Sequence, residues 1–240
     1  MNLFEELDRQ PTAAGEIVLR RRVDPTLGVD VYEVKLDDEY LMSSLYTSAE
    51  IELATLGLDA LDGEDLDIVV GGLGLGYTAL AVLDSPRVRS LAVIEAVPHV
   101  IDWHRRHLLP GARELTADPR CRLVEADFFA TIATGGPLGP GGGGRVHGIF
   151  VDIDHTPRHH LHPSHAGFYT PVGLQPLNDR LHPGGVFALW SEDKPDPDFI
   201  ATAAQVFSSC DAHVVTFTNP LTDEEATNTI YSCRAATSDT

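Results

Sequence analysis

Basic residues are scarce in this chain of 240 amino acids: 17 lysines and arginines stand against 36 aspartates and glutamates, a net charge of −19. A surface of that sign repels phosphate backbones and anionic lipid head groups, so it argues against nucleic acid and membrane partners, and it attracts cations. Cysteine is scarce too. Cys121, Cys210 and Cys233 are odd in number, widely spaced and without a C-x-x-C pair. That argues against a disulfide framework or a thiolate zinc site and suits a reducing compartment. No apolar run approaches the ~20 residues that cross a bilayer, and the Met1–Glu6 segment lacks the basic-then-apolar plan of a signal peptide. The expected location is the cytoplasm. What remains, 43% hydrophobic and 22% charged residues, is the composition of an ordinary globular protein with a substantial core.

The first sixty residues read as a small β region and a helix. After a short amphipathic start, Glu16–Val23 and Val29–Leu36 read as strands around a Pro25–Gly28 turn, and Tyr40–Leu45 as a third. Thr47-Ser-Ala-Glu50 has the spacing of a capping box, followed by Ile51, Ala54 and Leu58 at helical spacing. From residue 61 to 240 short apolar strands alternate with helices, the pattern of a doubly wound parallel sheet. The strands expected are Asp67–Gly71, Val88–Glu95, Cys121–Glu125, His147–Asp152, Gly185–Ser191 and His213–Thr218. The helices expected are Gly76–Leu83, Pro98–Leu108, Asp127–Ile132, His165–Leu181 and Asp198–Ser209. The last two strands, ending at Thr218 and Arg234, have only a Pro220–Glu225 turn between them. They must therefore run antiparallel. The run at 134–145 reads as a flexible glycine-rich loop without chemistry.

Four strand ends carry groups that suit a nucleoside ligand. Gly72, Gly74 and Gly76, with Leu75 among them, form a G-x-G-x-G turn between a strand and a helix, where backbone amides can approach a ligand closely. Glu95, followed by Ala96, ends the next strand, where a carboxylate can hold both ribose hydroxyls. Asp127 follows the third strand and suits an adenine amino group, with Phe128 or Phe129 against the ring. Asp152 ends the fourth. Gly74–Ala79 also satisfies the G-x-G-x-x-A fingerprint of nicotinamide dinucleotide enzymes, which stays open as an alternative.

Gly72–Thr78, Ile94-Glu95, Ala126-Asp127, Asp152 and the Pro183-Gly184-Gly185 turn together resemble the class I methyltransferase fold. More narrowly, they resemble the spermidine synthases, the polyamine aminopropyltransferases, which also carry a small N-terminal β-domain. The resemblance implies a Rossmann-like α/β fold with a mostly parallel seven-stranded sheet and an antiparallel C-terminal hairpin. It implies S-adenosylmethionine or its decarboxylated form as co-substrate, held at Gly72, Gly74, Leu75, Gly76, Glu95, Ala96, Asp127, Phe128 and Asp152. Three positions depart from the family pattern. Leu75 stands where its glycine loop has an aspartate that faces the donor amine, His155 where its Asp-Ser-Thr-Asp run ends, and Leu41 where a glutamine is expected. A leucine cannot neutralise an ammonium, so the expected activity is alkyl transfer, aminopropyl or methyl, by a protein that is not an efficient spermidine synthase.

In such a transfer a nucleophile attacks a sulfonium carbon, and a carboxylate or histidine serves as base. Asp152 is the first candidate, with Asp154 and His155 next. The acceptor is a small molecule, an amine being one option, and a homodimer is the commonest soluble assembly. The histidine-rich run His155–His165 reads as a mobile lid with solvated imidazoles and no metal, because Pro157 and Pro163 interrupt any single helix that would align ligands. A non-catalytic protein that keeps nucleoside binding on this fold is the other open class.

Overall fold

The computed structural model describes residues 3–12, 15–138, 144–219 and 224–237. The chain opens with four antiparallel strands, β1 (Phe4–Thr12), β2 (Gly15–Val23), β3 (Asp30–Leu36) and β4 (Glu39–Ser43), paired in that order. β1 has no counterpart in the sequence expectation. Its polar sequence, FEELDRQPT, carries little apolar alternation, and the strand exists through its ladder with β2, from Phe4 opposite Arg22 to Thr12 opposite Gly15. Helix α1 (Ser48–Asp59) follows.

Seven strands form the main sheet: β5 (Leu66–Gly71), β6 (Val88–Glu95), β7 (Cys121–Glu125), β8 (Val146–Val151), β9 (Leu181–Ser191), β10 (Ser209–Thr218) and β11 (Glu225–Arg234). Their order is β10-β11-β9-β8-β5-β6-β7. The five from β9 to β7 are parallel, and β11 runs antiparallel to both β9 and β10. β5 is buried at all of its positions, as a central strand covered on both faces must be. The expected α/β architecture, with its antiparallel C-terminal hairpin and N-terminal β region, is therefore the one observed.

Helices α2 (Tyr77–Asp84), α3 (Pro98–Arg105), α4 (Ala112–Ala117), α5 (Phe128–Thr134), α6 (Pro171–Asn178) and α7 (Pro197–Ala203) connect the strands. The single helix expected over 165–181 is instead a 3-10 turn, Pro163–Gly167, followed by α6, with β9 already begun at Leu181. Thr170 restarts the helix: its hydroxyl accepts from the Gly173 amide at 3.1 Å, and Pro171 takes the first helical position, where no amide is needed. The glycine-rich loop expected at 134–145 and the turn expected at 220–225 fall partly outside the described residues.

The cysteine reading needs correction. Antiparallel pairing sets Cys210 opposite Cys233 across β10 and β11, and the two form a disulfide, leaving Cys121 free. Their separation of 23 residues hides this proximity in the sequence, and the argument from cysteine spacing to a reducing compartment loses its premise. No helix among the described residues is long and apolar enough to cross a membrane.

Two hydrophobic clusters fill the faces of the main sheet. One runs unbroken from Ile17, Leu19 and Val34 of the N-terminal strands through Leu53 of α1 to Ile68 and Val93. A polar tie reinforces that junction, because the Asp8 carboxylate in β1 accepts from Trp103 Nε1 at 2.7 Å and from Arg106 at 3.2 Å. Trp103 is fully buried. Asp8→Ala would strand its indole N–H without a partner, a loss of about 1–3 kcal/mol, read as a Tm decrease of roughly 3–9 °C for a domain of this size. Asp8→Asn, which keeps an acceptor, should recover most of it. An unchanged melting temperature in Asp8→Ala would contradict this account of the junction.

Candidate functional site

The turn after β5 bends through Gly72 (φ 94°), Gly74 (φ 48°) and Gly76 (φ 94°). At Gly72 the reason is contact as well as dihedral: a Cβ there would sit 2.1 Å from the carbonyl oxygen of Asp152. The exits of the parallel neighbours β8 and β5 thus meet backbone to backbone, tied by the Asp152 amide donating to Gly71 O at 2.9 Å. At Gly76 a Cβ would meet the ring of His104 at 2.8 Å. His104 is buried and donates from Nε2 to the Gly74 carbonyl at 3.0 Å; burial holds its pKa below the usual histidine range, so it is neutral.

Glu95 fastens the other side of the turn. Its carboxylate accepts from the Leu73 amide at 3.0 Å and from the Val97 amide at 2.8 Å. Burial pushes its pKa up, while the amides of Val97, Leu73, Gly74 and Ala96 pull against that shift. Asp127 caps α5 by accepting from Ala130 N at 3.0 Å with one oxygen. Glu95, Ala96 and Asp127 stand along the carboxyl edge of β6 and β7. Phe128 does not: it is buried, packs edge-on against Phe129 and Phe168 and lies under Gly71. The adenine contact expected of it is not available, since the cap at Asp127 turns the next side chain inward.

A cavity of about 370 Å³ opens beside the turn. Its walls are the turn itself from Leu73 to Thr78, the end of β4 with Tyr46, Glu50 of α1, Asp152, Ile153 and His155 after β8, Trp190 and Glu192 at the end of β9, and Phe217 and Asn228 of the C-terminal hairpin. Three carboxylates line it, with no lysine or arginine among the described lining residues. Asp152 accepts from Thr78 Oγ1 at 3.2 Å; burial raises its pKa to about 6 and the Thr78 bond lowers it. Glu50 is raised further, to about 8, by burial and by the neighbouring Asp152 charge. Both carboxyls are thus held above the ordinary carboxylate range, because burial disfavours charge on each and the charge on one opposes ionisation of the other.

Glu50 is the group the sequence reading missed. The spacing from Thr47 suggested a capping box, yet the Thr47 side chain makes no cap bond and Glu50 faces the cavity. The available signal was an acid in the first turn of a helix whose neighbouring Ala49, Leu53 and Ala54 are all buried. Leu75 lines the cavity, as does His155, whose Nδ1 stands 3.7 Å from a Glu192 oxygen.

Asp154 needs correction as a candidate base. Its carboxylate is buried away from the cavity and accepts from the Leu161 amide (2.7 Å), Tyr169 Oη (2.9 Å) and His165 Nδ1 (2.8 Å). The same bonds overturn the mobile-lid expectation. His165 stacks on Phe129 at 4.0 Å and His160 on Tyr169 at 4.9 Å, so the histidine-rich run is pinned to the second core. Among the described residues no three potential ligands converge on a metal position.

The acid pair carries a stability cost whose sign is testable. A carboxyl group raised from 4.5 to about 8 stabilises the fold fully below its unfolded pKa, and that contribution is lost as pH rises through the folded value. Glu50→Gln should therefore melt like the parent at pH 4.5 and increasingly higher as pH rises to 8, by about 2–6 °C. A destabilised variant at pH 8 would overturn the assignment of a half-buried acid whose charge is disfavoured.

No protein-family profile matches the chain. Among curated proteins it is 27% identical over 183 residues to polyamine aminopropyltransferase 2 of Pseudomonas aeruginosa, a match covering 72% of this chain. The chain spans about half of that relative, 47% of its length. Among solved structures, spermidine synthase from Thermotoga maritima superposes with a TM-score of 0.72 at 17% identity, over 97% of this chain and 74% of that one. A spermidine synthase in complex with the transition state analogue AdoDATO gives the same values. Human methyltransferase-like protein 13, in complex with SAH, superposes with a TM-score of 0.51 at 21% identity over 79% of this chain and 78% of that one. The chain is thus similar in sequence to a polyamine aminopropyltransferase, and it shares the fold of spermidine synthases and of a methyltransferase-like protein.

Proposed function

We propose that the protein binds an S-adenosyl donor and transfers an alkyl group from its sulfonium to a small nucleophile. The observation that carries this reading is the cavity of acids beside the glycine turn. A sulfonium is a cation, and a site with Asp152, Glu50 and Glu192 and no lysine or arginine among its described lining residues attracts one. The same lining disfavours the nicotinamide alternative, because a pyrophosphate at the N-terminus of α2 would face these carboxylates. In this reading the nucleoside half lies along the edge marked by Glu95, Ala96 and Asp127, and the sulfonium half enters the cavity past Gly74, Leu75 and Gly76.

The chemistry follows from the charges. The nucleophile's lone pair forms a bond to the sulfonium carbon, the carbon–sulfur pair returns to sulfur, and the sulfur charge is lost. The proton shed by an amine nucleophile passes to Asp152, whose pKa burial raises, so that its carboxylate is a stronger base than an exposed aspartate. His155 stands at the same cavity as a second acceptor. Positioning supplies the rest, up to ~7–11 kcal/mol in favourable cases. Leu75 leaves the glycine turn without a carboxylate for a donor amine, which argues for weak selection of a decarboxylated donor there and against efficient spermidine synthesis.

Calorimetry tests the reading. S-adenosylmethionine and methylthioadenosine should bind, and Glu95→Ala should weaken them by ~1.5–3 kcal/mol, the scale of hydrogen bonds to a charged group. Unchanged affinity in the variant would remove Glu95 from the ribose site. Tighter binding of NAD than of any S-adenosyl compound would overturn the reading as a whole.

A further inference from the structure

Glu50 is costly where it stands. A carboxyl group facing an apolar and aromatic cavity, beside a second carboxyl and without a basic partner, is destabilising unless a ligand compensates it. Among the described residues no other residue's hydrogen-bond donor reaches it; its own amide is the bond it keeps. The capping box that its spacing from Thr47 suggested is unmade. Asp152, by contrast, has the Thr78 hydroxyl to hold its charge. The two acids come from unrelated elements, the first turn of α1 and the exit of β8, and meet at one cavity.

We propose that Glu50 is the residue by which the cavity reads the net charge of its ligand, accepting a singly charged zwitterionic donor when protonated and favouring a dicationic, carboxylate-free donor when ionised. The inference rests on the S-adenosyl reading above. Intact S-adenosylmethionine brings a sulfonium, an ammonium and a carboxylate, a net charge of one. The decarboxylated compound brings two positive charges and nothing to offset them. With Glu50 protonated, the pair offers one negative charge, on Asp152, and the ligand carboxylate meets a neutral neighbour. With Glu50 ionised, the pair offers two, which match the dication and repel the carboxylate. Leu75 contributes to neither outcome, so the selection that the glycine turn lacks passes to α1. Because the Glu50 proton is held up to about pH 8, selection is weak at neutral pH and grows in alkali.

The titratable groups facing Glu50 across this space are Asp152 and His155 after β8, Tyr77 at the start of α2, Glu192 after β9, and Tyr40 and Tyr46 from β4 and its exit. Tyr77 is pushed up by burial and by the Glu50 charge, so it stays neutral alongside a titrating Glu50.

The test is calorimetry of S-adenosylmethionine and its decarboxylated form at pH 6.5 and pH 9, on the parent, Glu50→Gln and Glu50→Asp. In the parent the affinity ratio of decarboxylated to intact donor should rise about tenfold between the two pH values, the effect of one charge roughly 12 Å away at an effective dielectric of ~20. Glu50→Gln should flatten that rise, and Glu50→Asp should restore part of it. Melting curves of the same variants verify that each is folded at both pH values. If both donors bind but the ratio and its pH dependence are the same in Glu50→Gln as in the parent, Glu50 does not read charge, and the S-adenosyl reading stands. If neither donor binds the parent, the S-adenosyl reading fails, and the inference falls with it.

Discussion

Everything at the candidate site depends on the contact between two strand exits. The Asp152 carbonyl occupies the space where a side chain on Gly72 would project, so the exits of the parallel strands β5 and β8 approach this closely only because that position is bare. The approach brings Asp152 to the glycine turn, and Thr78, at the start of α2, reaches its carboxylate. Glu95 and His104 then hold the turn from two further elements, one through amides and one through the Gly74 carbonyl. The backbone of residues 72–76 is therefore set by three neighbouring elements before any ligand arrives, which is the preorganisation that a positioning catalyst requires.

Much of the fold was legible because its signals are local. Buried parallel strands read as apolar runs, the β5 turn announced itself by glycine spacing, and the turn-only connection between the last two strands fixed their direction. The misses share a different cause. β1 draws its structure from a ladder with β2, Cys210 meets Cys233 only through strand register, and the 163–178 region breaks where Thr170 and Pro171 restart the helix. Each is a tertiary or capping effect without a periodic signature.

The site shows the same division. Gly72, Gly74, Leu75, Gly76, Glu95, Asp127 and Asp152 could be picked out because strand ends in such sheets share one edge. Asp154, only two residues beyond Asp152, was indistinguishable in sequence, yet its carboxylate is consumed by Leu161, His165 and Tyr169. Phe128 likewise belongs to the core. Glu50 lay outside the strand-edge logic altogether, because it arrives from α1, and its spacing from Thr47 offered a structural explanation that the geometry does not support. The result is a cavity that holds acids whose charge burial disfavours, the arrangement that a cation entering it would relieve.

The central claim is that one S-adenosyl ligand spans the edge from Asp127 to Asp152, with its nucleoside over β6 and β7 and its sulfur in the cavity. A crystal structure with S-adenosylhomocysteine bound tests this most directly. The account predicts ribose hydroxyls within hydrogen-bond distance of Glu95, the adenine amino group at Asp127, and the sulfur against Asp152 and Leu75. Ligand density elsewhere on the protein, or a ribose directed away from Glu95, would contradict it.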